Sequence, residues 1–122
     1  KGILIVDDQQ GIRMLLNEVF KKEGFTTYLA ANGFDAIKIA QENELDCVLL
    51  DMKIPGMDGL EILARLKEEH PELPVMMMTA YVEQHMMDTA NELGVLKYFT
   101  KPFNIFEVRD EVNKLVEKAE KI

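Results

Sequence analysis

The chain has 122 residues, 48% of them hydrophobic and 30% charged, with a formal net charge of −8, the balance of one soluble compact domain. That charge repels a nucleic-acid backbone unless a basic patch overrides it, and the lysines are instead interleaved with glutamates. The lone cysteine, Cys47, excludes an internal disulfide, and no apolar stretch approaches the roughly 20 residues of a membrane span.

Apolar runs and helical patterns alternate along the chain. Ile3-Leu4-Ile5-Val6 is short and rich in β-branched residues, and predicts a buried strand that ends at Asp7-Asp8. Ile12, Leu15, Leu16, Val19 and Phe20 recur at helical spacing, and Gly24 supplies a stop. A second strand is expected over Phe25 to Ala30, then a turn at Asn32-Gly33 and a helix with Ala36, Ile37 and Ala40 inward. The third strand is expected over Asp46 to Leu50, which makes Cys47 a buried structural thiol. Pro55-Gly56 punctuates the following loop, and the next helix carries Leu60, Leu63 and Leu66. Pro74 introduces a fourth strand, Val75 to Met78, whose three methionines read as core filling. The helix after it turns Met86, Met87, Ala90 and Leu93 inward and ends at Gly94. A fifth strand over Val95 to Phe99 and a helix with Val108, Val112, Leu115 and Val116 complete the pattern. His70 and His85 stand in polar helix-end contexts and read as surface residues.

Strictly alternating strands and helices imply right-handed crossovers and a parallel sheet covered on both faces. The start at Lys1 reads as a trimmed chain, the polar end Glu117 to Ile122 as a helix end, and the whole as one domain over 1–122 in the cytoplasm. In an open parallel sheet, ligands bind where the strands exit. The exits carry Asp7 and Asp8, Asp51, Thr79 and, just beyond the fifth strand, Lys101. Two carboxylates about 4 Å apart repel by roughly 4 kcal/mol at an effective dielectric near 20. A set of acids without histidine or cysteine therefore favours Mg²⁺, with Mn²⁺ or Ca²⁺ as substitutes. Asp51, central among them, is the expected nucleophile toward phosphorus, with Thr79 and Lys101 to meet the phosphoryl oxygens. Each residue also has a plainer reading: loop solvation or a helix cap for the acids, a strand end for Thr79, a surface position for Lys101. Their shared place at one sheet edge favours the chemical one.

Four blocks carry a resemblance over essentially the whole chain: Ile3 to Asp8; Leu49-Leu50-Asp51-Met52-Lys53-Ile54-Pro55-Gly56-Met57-Asp58-Gly59; Met78-Thr79-Ala80; and Lys101-Pro102-Phe103. With these the chain resembles the bacterial response-regulator receiver domains. The resemblance implies a flavodoxin-like fold of strand order 2-1-3-4-5 with five helices. It further implies Asp51 as phosphoacceptor, Mg²⁺ held by Asp7, Asp8, Asp51 and the Lys53 carbonyl, Thr79 and Tyr98 as switch residues, Lys101 as phosphoryl partner, and a cis Lys101-Pro102 bond. More narrowly, the chain resembles the single-domain regulators of the bacilli sporulation phosphorelay, through stretches that include Asp7-Asp8-Gln9, Gly11-Ile12-Arg13 and Met78-Thr79-Ala80-Tyr81. Gln10 and Tyr98 depart from the aromatic and the histidine expected there.

The partners so implied are a sensor histidine kinase, a histidine phosphotransferase and, in addition, an aspartyl-phosphate phosphatase. They would dock on Gln9, Gln10, Gly11, Ile12, Leu15 and Pro102, while Tyr81, Val82 and Glu83 would form a surface that reports phosphorylation. A monomer is expected, without nucleic-acid or membrane partners, acting as a phosphoacceptor that assists its own phosphorylation and dephosphorylation and not as an enzyme. The alternatives are a receiver cut from a larger DNA-binding regulator or hybrid kinase, and a diffusible regulator of a target outside a relay. A magnesium-dependent phosphatase would want an acid where Lys53 stands, and a flavodoxin would want a glycine- and hydroxyl-rich first loop.

Overall fold

The computed structural model describes residues 1–80 and 83–120, with side chains through residue 118, so the expectation for Tyr81 and Val82 falls outside the described residues. Five strands and five helices alternate: β1 (Gly2–Val6), α1 (Gln10–Lys22), β2 (Thr26–Ala30), α2 (Gly33–Glu42), β3 (Cys47–Asp51), α3 (Gly59–Glu69), β4 (Val75–Thr79), α4 (Gln84–Glu92), β5 (Lys97–Thr100) and α5 (Ile105–Glu120). The strands form one parallel sheet in the order β2-β1-β3-β4-β5, as expected of a doubly wound flavodoxin-like fold. Because side chains alternate along a strand, each central strand feeds two cores. Leu4, Val6, Val48, Leu50 and Met77 meet α2, α3 and α4 on one face. Ile3, Ile5, Cys47, Leu49, Met76, Met78 and Phe99 meet Leu16 and Phe20 of α1 and Val108, Val112 and Val116 of α5 on the other. The methionines of β4 are thus core filling, and burial pushes the Cys47 thiol up to about 12, leaving it inert.

Several boundaries and one core assignment differ from expectation. β5 starts at Lys97, not at Val95, because Gly94, at φ +90°, lets Val95 turn back and donate to the Ala90 carbonyl, closing α4. β2 starts one residue late for a similar reason, since the Phe25 amide is held by the Phe20 carbonyl at the end of α1. β3 is Cys47–Asp51 and not Asp46–Leu50: the ladder runs on through Asp51, which pairs with Met78, and the Asp46 carboxylate instead accepts from the Gly2 amide. Leu15, read as part of the inward stripe of α1, is 50% exposed, because Leu16 next to it takes the inward position and adjacent helical residues point about 100° apart. His70, read as a surface residue, caps α3 through its amide to the Leu66 carbonyl, is only half-buried, and has its Nε2 buried without a hydrogen-bond partner among the described residues. His85 is exposed as expected.

The start of α3 is pressed against the exit of β3. The Gly59 amide donates to the Met52 carbonyl (2.9 Å), and a Cβ on Gly59 would lie 2.5 Å from the Met52 Cα. Backbone cannot give way there as a flexible side chain could. Gly59→Ala is therefore expected to cost about 1–3 kcal/mol, read as a fall in Tm of several degrees; an unchanged Tm would show that α3 is free to move away from the site.

Candidate functional site: an acidic pocket at the strand exits

The site is built by three strands that end at one edge. β1 runs out at Val6, and the Asp7 amide still donates to the Ala30 carbonyl of β2 (3.1 Å), which fixes the first acid in line with the sheet. β3 carries Asp51 as its last residue. β4 ends at Thr79, whose carbonyl accepts from the Lys101 amide (2.7 Å), so the segment after β5 is tied to the same edge. The Lys101-Pro102 peptide bond is cis, as the resemblance implies.

These anchors bring Asp7, Asp8, Asp51, Thr79 and Lys101 together. Ligand oxygens of Asp7, Asp8 and Asp51 all lie within 4.8 Å of one another, and no other such acid, histidine or cysteine cluster occurs among the described residues. Asp7, Asp51 and Thr79 are buried, whereas Asp8 is exposed at the mouth. The Lys101 ammonium lies between the two buried carboxylates, 2.7 Å from Asp7 Oδ2 and 3.0 Å from Asp51 Oδ2. Backbone amides take the remaining carboxylate oxygens: Gln9 donates to Asp7 Oδ1 (2.8 Å) and Lys53 to Asp51 Oδ1 (3.1 Å). Arg13, which had no assigned role from sequence, donates from its guanidinium to the Asp7 carbonyl (2.7 Å). Its only sequence signal is a cation one helical turn and a half after the acid pair, and a backbone acceptor leaves no mark in the sequence.

Burial raises the Asp51 carboxyl above the ordinary range. The Lys53 amide and Lys101 oppose this, and the Asp7 charge adds to it. For Lys101, burial works toward a lower value, but hydrogen bonds and charges from Asp7 and Asp51 outweigh it and hold the ammonium above its usual range. The donor set of carboxylates, one of them exposed, fits a hard divalent cation. An open groove of about 420 Å³ leads from this mouth along Asp8, Met52, Lys53, Ile54, Pro55, Asp58 and Met86. A larger cleft of about 690 Å³ lies at the opposite edge, between Asn43–Asp46 and Glu69–Pro74, away from the acids.

The remaining predicted residues lie around the rim. Gln9, Gln10 and Gly11 are exposed at the start of α1, with Ile12 half-buried and Leu15 and Pro102 exposed. Lys53 is exposed beside Asp51. Tyr98 is turned toward α4, where its hydroxyl donates to the Met87 carbonyl (2.9 Å) with Asn91 Oδ1 also in reach (3.2 Å). Asp58 proves to be a helix cap, accepting from the Glu61 amide (2.9 Å) at the start of α3.

Because its folded pKa is raised, Asp51 contributes stability that is fully present below the ordinary aspartate range and lost as pH rises through the folded value. In chelator at neutral pH, Asp51→Asn is therefore expected to melt above the wild type, with the gap closing as pH falls below the ordinary aspartate range. Melting curves over that window check it; a variant less stable at neutral pH would mean that the Lys101 bridge outweighs burial.

The comparisons with known proteins agree with this geometry. The family described as "Response regulator receiver domain" matches residues 3–113. The chain is 58% identical over 112 residues to "Sporulation initiation phosphotransferase F" of Bacillus subtilis (strain 168), covering 92% of this chain and 90% of that protein. It is 37% identical to "Regulatory protein AtoC" of Escherichia coli (strain K12), where the match spans 96% of this chain but only 24% of that longer protein. Among solved structures, a CheY-like receiver domain protein from Methanospirillum hungatei JF-1 superposes with a TM-score of 0.95 at 26% identity, covering 99% of this chain and 97% of that one. The response regulator TrrA from Thermotoga maritima, solved with Mg²⁺-BeF, gives 0.82 at 34% identity, covering 94% and 98%. An acid triad at the strand exits with a lysine bridging two of its carboxylates, on this sheet order and with these relatives, places the chain in the response regulator receiver domain family.

Proposed function

We propose that the chain is a phosphorelay intermediate: Asp51 accepts a phosphoryl group from a phosphohistidine of a sensor kinase and yields it to a histidine of a phosphotransferase. The observation that carries this is the setting of Asp51, recessed at the strand edge, held by the Lys53 amide and Lys101, with two further carboxylates within 4.8 Å. In the forward step an Asp51 carboxylate oxygen forms a bond to phosphorus while the P–N bond breaks, and the imidazole nitrogen leaves with the electron pair. The product is an acyl phosphate, and the onward transfer reverses this chemistry onto a second histidine. Asp7, Asp8, Asp51 and the Lys53 carbonyl would hold Mg²⁺, which when bound neutralises charge on the phosphoryl oxygens. Lys101 would pair with those oxygens and the Thr79 hydroxyl would hydrogen-bond one of them.

Membership of the family and the name of the 58% identical relative support the relay reading and a role in the initiation of sporulation. That relative is covered over 90% of its length, which supports a single-domain protein over a fragment of a larger regulator. No helix among the described residues is long and apolar enough to cross a membrane. An aspartyl-phosphate phosphatase fits as a further partner, since an acyl phosphate offers it a substrate.

In the same reading, Thr79 turns to the new phosphoryl oxygens and Tyr98 leaves its bond to the Met87 carbonyl, changing the face around α4 and β5. Incubation with acetyl phosphate and Mg²⁺, followed by intact mass and by tyrosine-ring NMR, tests the whole proposal. The wild type is expected to gain one phosphoryl group only with Mg²⁺ and to shift its Tyr98 resonances, and Asp51→Asn to do neither. An equal gain in both proteins, or none, would move the acceptor away from Asp51; a gain without the Tyr98 shift would remove the switch.

A further inference from the structure

Phe106, in the first turn of α5, is 57% exposed, and neither the phosphoryl chemistry nor the expected docking residues account for it. Its position follows from the contacts of its helix. Asn113, seven residues and therefore about two turns further along the same stripe, donates to the Glu23 carboxylate at the end of α1 (2.7 Å). On the opposite flank, Glu111 pairs with Lys97 of β5 (3.1 Å). The stripe bearing Phe106 is thus the one facing α1. On α1, Asn17 accepts from the Thr27 hydroxyl of β2, which turns that flank to the sheet edge and leaves Leu15 on the flank facing α5.

Phe106 and Leu15 therefore stand on the flanks of α5 and α1 that face one another, both exposed and both in the half of the helix nearer the pocket. Half-buried Ile12, Phe103 and Ile105 lie on the core beneath. The Phe106 ring is backed by the Arg109 guanidinium, 4.9 Å from its centroid, and Arg109 is itself paired to Asp110 (3.0 Å). This packing lowers the entropy cost of presenting an aromatic side chain to water, as in an interface anchor.

We propose that Phe106 is a specificity-determining anchor, which with Leu15 grips an apolar ridge on a helix of the histidine-bearing relay partner. This rests on the relay reading of Asp51. Asp51 is only 5% exposed, so a protein donor must cover the rim to bring its imidazole in, and the Phe106–Leu15 groove opens beside that rim. A groove between two packed helices accepts a third helix by ridge-and-groove packing. The partner ridge is expected to be flanked by Lys or Arg, because the chain carries a net charge of −8 and the nearby Arg13, Lys101 and Arg109 already have partners within the fold.

The test uses a phosphorylated histidine phosphotransferase that exchanges phosphoryl with the wild-type chain, compared with acetyl phosphate, which needs no docking. Phe106→Ala is expected to keep wild-type labelling by acetyl phosphate and lose at least about tenfold in second-order transfer from the protein donor. Phe106→Leu should recover part of it, and Phe34→Ala, at another exposed phenylalanine (66%) on α2, should transfer as the wild type does. Transfer by Phe106→Ala equal to wild type, or an equal loss in Phe34→Ala, would overturn the anchor. Failure of acetyl phosphate labelling in the wild type would instead strike the relay reading beneath it.

Discussion

The ammonium of Lys101 between Asp7 and Asp51 is the contact on which the rest of the site depends. Two buried carboxylates at the end of adjacent strands repel, and without a counter-charge burial would favour protonation or local opening. Lys101 answers both from one nitrogen, at 2.7 and 3.0 Å, while the backbone amides of Gln9 and Lys53 take the outer oxygens. The Asp51 carboxylate is thereby held in one orientation. Asp8 alone of the triad remains exposed, at the mouth of the pocket.

The sheet exists in a form that makes this contact possible. β1 and β3 are neighbours, so Asp7 and Asp51 leave the sheet side by side, and the Lys101 amide is tied to the Thr79 carbonyl at the end of β4. Gly59 lets α3 close on the β3 exit, and Arg13 holds the Asp7 carbonyl from α1. The residues of the pocket are thus positioned by backbone bonds from several elements. Under the relay proposal, recognition and chemistry would share one edge, so that a docked donor would also bring its imidazole to Asp51.

Much of this was legible in the chain. Buried strands announce themselves as short apolar runs, and the residues at their exits follow once the sheet is parallel, which is why Asp7, Asp8, Asp51, Thr79 and Lys101 could be named together. Less legible was anything set by a single helical step or by the backbone. Leu15 and Leu16 are equally apolar, and only packing decides that Leu16 is inward. The late start of β5 depends on how Gly94 lets Val95 close α4. Arg13 acts on a carbonyl, which every residue has. A lone exposed phenylalanine such as Phe106 has no periodicity to betray it, and its partner across the groove is far away in sequence.

The most direct test of this account is the pH dependence of unfolding for Lys101→Met in chelator. Lys101 keeps its raised pKa by pairing with both acids, so its stabilisation should be present at neutral pH and be lost only as pH rises through that raised value. Removing it leaves two buried carboxylates without a counter-charge, and a loss of about 3 kcal/mol is expected at neutral pH, at the low end for a buried pair because the ammonium is partly exposed. The deficit should shrink as pH falls below the ordinary carboxylate range and the acids become neutral. A Lys101→Met protein as stable as the wild type at neutral pH, or a deficit unchanged by acid, would contradict the account.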